Sequence, residues 1–68
     1  MIPYTATDIE GYDIKAHIND VYTIIEVEGQ PCKLAPENAG KLLLWLCENA
    51  PLSTAIRRQA KEVLEGKL

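Results

Sequence analysis

Between Tyr12 and Ile18, apolar and polar residues alternate without a break. Tyr12, Ile14, Ala16 and Ile18 fall on one side and Asp13, Lys15 and His17 on the other, the period of a half-buried strand over residues 12–18. The alternation resumes from Val21 to Glu28, with Val21, Thr23, Ile25 and Val27 in phase, and predicts a second strand over 21–28. Asn19 and Asp20 between them tolerate positive φ and fit a type I′ hairpin turn. That turn sets a register in which Ile18 faces Val21, Ala16 faces Thr23, Ile14 faces Ile25 and Tyr12 faces Val27. All these pairs lie on one face, so pattern and turn agree.

Glu28-Gly29-Gln30-Pro31 reads as the next turn. Pro31 has no N–H and cannot close a tight loop, so the loop is expected to close on Val27 and Cys32. Ile25 then pairs with Leu34 and Glu26 with Lys33, and a short third strand covers 32–34. Tyr4 to Ile9 is a candidate for a further strand, with Gly11 as the bulge or bend that resets the phase before Tyr12.

After Leu34 the period changes. Pro36 suits the first position of a helix, with Glu37 beside the positive end of its dipole. Ala39, Leu42, Leu43, Leu46 and Cys47 form one helical stripe, and Pro51 ends the helix at or before Ala50, so it is expected over 36–49. Gly40 reads as a point of close approach to another element. Ser53 is an N-cap for a second helix over about 54–65, with Gly66 as its stop. Ile56, Ala60, Val63 and Leu64 make its apolar side, and Arg57, Arg58, Lys61, Glu62 and Glu65 its polar side.

The expected fold is therefore α+β, in the order β-β-β-α-α. A three-stranded antiparallel meander, four-stranded if the N-terminal segment joins, is covered on one face by two C-terminal helices. Ile14, Ile18, Ile25, Val27, Leu34, Leu42, Leu43, Leu46, Ile56, Ala60 and Val63 are expected to form the core.

Composition narrows the function classes. A chain of 68 residues allows one domain and leaves no room for a cofactor fold beside a substrate domain. At this size a core alone is marginal, and a staple or an oligomeric partner is often needed. Seven basic against ten acidic residues give a net charge of −3 and a pI near 4.9, against whole-surface attraction to nucleic acid or anionic membrane. The charge is uneven. In residues 1–34, Asp8, Glu10, Asp13, Asp20, Glu26 and Glu28 stand against Lys15 and Lys33, a balance of −4, whereas residues 35–68 balance at +1.

The longest apolar run, Leu42 to Cys47, is far short of a membrane span. Met1-Ile2-Pro3-Tyr4 shows no basic leader and no apolar leader segment. Two cysteines without a secretory signal point to a reducing cytoplasm and free thiols. Cys32 and Cys47 fall on expected core faces too far apart for a disulfide. Two Cys and one His do not supply a zinc site, and the acids are too loosely spaced for a metal cage. His17 has no adjacent nucleophile, and no phosphate-cradling or hydrolase motif occurs. No cofactor and no enzymatic activity are expected.

Two surfaces remain as candidates. Leu42-Leu43-Leu44-Trp45-Leu46-Cys47 is apolar all round its helix. Leu44 and Trp45 either pack under the second helix or form a homodimer seam or partner groove. The outer face of the first hairpin carries Asp13, Lys15, His17, Tyr22, Ile24, Glu26 and Glu28, with His17 opposite Tyr22. Tyr22 and Ile24 are apolar where a solvated face is polar. The expected partner-binding set is Trp45, Leu44, Tyr22, Ile24, Glu26, Glu28 and His17. The acids form a solvated surface, a mimic of nucleic-acid phosphate, or a dock for a basic groove. Arg57, Arg58 and Lys61 make a basic ridge for nucleic acid, a weak signal on an acidic chain with Glu62 and Glu65 nearby.

These features favour a small acidic, non-enzymatic protein that binds a larger protein and modulates or inhibits it. Small acidic chains without motifs are often encoded by bacteriophages and mobile elements. A homodimer is the expected state. The alternatives are a structural subunit acting through its own homo-oligomer and a small nucleic-acid-binding regulator.

Overall fold

The computed structural model describes residues 2–66. Four strands come first: β1 (Tyr4–Thr7), β2 (Asp13–Asn19), β3 (Tyr22–Val27) and β4 (Gln30–Leu34). Two helices follow, α1 (Pro36–Asn49) and α2 (Thr54–Leu64). The sheet is an antiparallel meander in the order β1-β2-β3-β4, so the N-terminal segment does supply a fourth strand.

Each hairpin is set by turn chemistry. Between β1 and β2, Asp8 organises the loop: its Oδ1 accepts from the backbone N–H of Glu10 at 2.8 Å and of Tyr12 at 2.9 Å. The Gly11 N–H donates to the Asp8 carbonyl at 3.1 Å, and Gly11 takes φ +91°. This is a turn followed by a left-handed glycine, the usual three-residue hairpin loop. Between β2 and β3 the loop is Asp20-Val21, not Asn19-Asp20, because Asn19 pairs with Tyr22. Only Asp20 of the two has positive φ (58°), so the turn is not type I′.

The register differs from the expected one by two residues. Ile14 lies opposite Val27, Ala16 opposite Ile25, Ile18 opposite Thr23 and His17 opposite Ile24. A slip of two keeps every side chain on its own face, so alternation alone cannot choose between the two registers. The same slip recurs at the last hairpin. Val27 pairs with Gln30 across a loop of Glu28 (φ 51°) and Gly29 (φ 81°), the paired positive φ values of a type I′ turn. Ile25 faces Cys32, Glu26 faces Pro31 and Ile24 faces Lys33, replacing the expected Ile25–Leu34 and Glu26–Lys33 pairs. Pro31 fits because Gln30 closes the turn. The next residue is then at a non-hydrogen-bonded position of an edge strand, where its missing N–H would point away from β3.

Both helices have the expected bounds to within a residue. Pro36 begins α1, and the Ala50 N–H donates to the Leu46 carbonyl just before Pro51 stops the chain. Ser53 Oγ accepts from the Ile56 N–H at 3.2 Å, and Gly66 (φ 70°) donates to the Val63 carbonyl beyond the end of α2.

The expected core is not closed. Ile24 is the sole buried apolar side chain among the described residues, at 8% exposure. Ile18, Val27, Leu42, Leu43, Leu46, Ile56 and Val63 are exposed, and Ile14, Ile25, Leu34 and Ala60 only half-buried. The reason is geometric. α1 approaches β3 and β4, and neither helix packs extensively on β1 or β2. Cys32, expected inside, is exposed, and Cys47 half-buried; both are free thiols. Gly40 is not a contact point, since an added Cβ would meet nothing within 4 Å.

Two glycine substitutions should therefore act in opposite directions. Gly29→Ala forces an L-residue into the left-handed region and should lower stability by about 1 kcal/mol. Gly40→Ala, in an α1 interior with open space, should raise it by about 0.8 kcal/mol. Urea unfolding of both variants, followed by circular dichroism, checks the signs.

Candidate functional site

The expected partner-binding residues fall in two places. Leu44 and Trp45 lie on α1 and are 56% and 59% exposed. The backbone beneath is secured: Asn49 Nδ2 donates to the Trp45 carbonyl at 3.0 Å, and the Lys41 ammonium lies 3.2 Å from Glu37 one turn away. Successive helix positions are about 100° apart, so Trp45 and Leu44 flank the apolar stripe on opposite edges, Trp45 beside Leu42 and Leu44 beside Cys47, with Lys41 and Glu48 between them on the outer side. The helix presents apolar surface in two directions.

The other residues lie on the polar face of the sheet, where the structure gives them different neighbours from those expected. Ile24 is not a surface residue. It sits mid-strand on inner strand β3 between His17 and Lys33, and is the buried side chain noted above. Tyr22 is half-buried, opposite Asn19 rather than His17, with the Lys33 ammonium 4.5 Å from its ring centre. His17 and Glu26 are half-buried. Glu28 is engaged within the chain: its carboxylate accepts from the Asp13 N–H at 2.8 Å, while its own N–H donates to the Asp13 carbonyl at 2.9 Å. That carboxylate holds β2 and β3 together where Glu28 itself takes an unfavourable positive φ. Asp13, Lys15, Glu26, Glu28 and Gly29 line a shallow polar depression at this end of the sheet.

The basic ridge of α2 is divided. Arg57 turns back onto the α1–α2 junction. Its Nη1 donates to the Cys47 carbonyl at 3.2 Å, its Nη2 to the Ala50 carbonyl at 3.2 Å and its Nε to the Leu52 carbonyl at 3.4 Å. These carbonyls lie at and just beyond the negative end of the α1 dipole, so charge and hydrogen bonding act together. Lys61 lies 4.0 Å from Glu65, and both side chains remain accessible. Beside this clasp, Leu43 of α1 shares an apolar groove with Ile56, Ala60, Val63 and Leu64 of α2.

Three structural roles were not foreseen: the Asp8 loop, the Glu28 strap and the Arg57 clasp. Asp8 had a readable signal in its spacing to Gly11, an Asp three residues before a turn glycine. Arg57 had none, because its partners are main-chain carbonyls.

Among the described residues no group of His, Cys, Asp and Glu is placed to hold a metal ion, and no helix is long and apolar enough to cross a membrane. No protein-family model, curated protein or solved structure matches the chain.

The two neighbouring arginines should separate on substitution. Arg57→Ala removes three bonds to carbonyls and should cost about 1–2 kcal/mol of stability. Arg58→Ala should stay within about 0.5 kcal/mol of the parent. Parallel denaturant titrations measure the gap.

Proposed function

We propose that this chain is a non-enzymatic protein–protein interaction module that docks on a larger protein and modulates or inhibits it. The observation that carries the reading is the surface of α1, where Leu44 and Trp45 stand more than half exposed on a helix already held by local bonds. Tryptophan is enriched among residues that anchor protein interfaces, and apolar surface of this kind on a small domain marks a contact. The acid-rich sheet supports the same reading. Asp13, Glu26 and Glu28, set against Lys15 alone, leave the depression at one end of the molecule net negative, which would steer and orient a basic partner. The two free thiols suit a reducing cytoplasm.

The nucleic-acid reading has less to stand on, because Arg57 is occupied at the helix junction and leaves Arg58 and Lys61 on a chain of net charge −3. The structural-subunit alternative draws on the same exposed apolar surface.

A photo-reactive phenylalanine analogue in place of Leu44 tests the proposal in the cells that make the protein. Irradiation should give one discrete adduct heavier than two copies of the chain. The adduct should disappear when Trp45→Ala is added and weaken with Glu26→Lys. Glu28 is unsuitable for charge reversal because its carboxylate holds the Asp13 amide. An adduct only with a second copy of the chain would replace this reading with the structural subunit.

A further inference from the structure

We infer that two copies of this chain associate face to face, the α1–α2 hairpin of each seated on the apolar sheet face of the other. The inference rests on the reading of exposed apolar side chains as interface, and it names the occupant of the surface opposite Leu44 as a second copy.

Area is the first reason. The chain exposes 5780 Å². A folded monomer of 7.6 kDa is expected to expose about 4,300 Å². The radius of gyration, 13.1 Å, likewise exceeds the roughly 11 Å expected for this length. The excess is about 1,500 Å² per copy, so a pairing of two copies has up to about 3,000 Å² to cover, enough for the range of obligate homodimers.

Complementarity is the second. Ile14, Ile18 and Val27 share one sheet face, and Leu42, Leu46 and Ile56 belong to the apolar side of the helices. All six are exposed or half-buried, although sheet face and helix stripe are what an α+β domain normally packs together. A two-fold axis lets each copy supply what the other lacks, and one symmetric contact then seats both hairpins.

Charge is the third, and it selects the arrangement. Residues 1–34 carry −4 and residues 35–68 carry +1. Helices of one copy over the sheet of the other set a nearly neutral half against the half of −4, whereas sheet against sheet opposes two halves of −4.

Sedimentation equilibrium of the unmodified protein from micromolar to millimolar concentration should give twice the chain mass of 7.6 kDa. In an equimolar mixture of isotope-labelled and unlabelled chains, filtered NOE spectra should connect the methyls of Leu42 and Leu46 in one copy with those of Ile14 and Ile18 in the other. Ile14→Asp and Leu46→Asp should each weaken association about a hundredfold, and their mixture, which keeps one intact seat in the heterodimer, should recover about tenfold of it. A monomer at every concentration, or a dimer without those intermolecular connections, would overturn the inference. So would folded variants whose mixture recovers nothing. If the variants do not fold, the unmodified protein decides alone. A monomer that still forms the heavier Leu44 adduct would leave the interaction module standing; a dimer without that adduct would do the reverse.

Discussion

Apolar side chains outnumber the places this chain has to put them. Fifteen large apolar residues among those described remain exposed, and one is buried. Full burial of such a side chain is worth about 1.5–3 kcal/mol, so the uncovered set is large beside the net stability of any small domain. The hydrophobic term that normally drives folding is only partly collected within one copy. The surface that remains open is the source of the proposed function and of the inferred dimer alike.

Local devices carry more of the architecture than usual in consequence. The three hairpins are held by ladder hydrogen bonds and by turns with residues in the left-handed region, Gly11, Asp20, Glu28 and Gly29. Carboxylates secure two of the turns: Asp8 gathers two amides of its loop, and Glu28 reaches across to Asp13. The helical hairpin is joined by the Arg57 guanidinium rather than by a filled apolar seam. Such contacts are exposed and individually modest, which is why they define geometry without closing a core.

The elements legible in the sequence are those with punctuation. Pro36, Pro51, Ser53 and Gly66 bound the helices, and the structure places the ends there. Alternation located β2 and β3 and assigned each residue its face. It did not give the register, because a two-residue slip leaves a period of two unchanged; the turns decided it, at Asp20-Val21 and at Glu28-Gly29. The missing N–H of Pro31 rules it out as a loop-closing residue but does not lengthen the loop, because Gln30 closes it and Pro31 follows. Ile24 was assigned to the solvent side by phase alone, but its place in the middle of an inner strand buries it against its neighbours. At the candidate site, a helix apolar all round left two outcomes for Leu44 and Trp45, cover by α2 or exposure, and the structure leaves both exposed. The engagement of Glu28 and Arg57 was not legible, since both depend on main-chain atoms brought near only by the completed fold.

Pro31 has a further effect on what the molecule cannot become. An open meander has two free margins, along which further strands of the same kind would ordinarily be recruited, one after another, into a ribbon without end. One margin here is β4, interrupted at Pro31 by a missing donor; the other is β1, only four residues long and preceded by Pro3. Neither offers a long uninterrupted template. A protein that leaves so much apolar surface open, yet blunts both margins of its sheet, is directed towards contacts through its faces, which saturate, and away from growth along its edges, which does not.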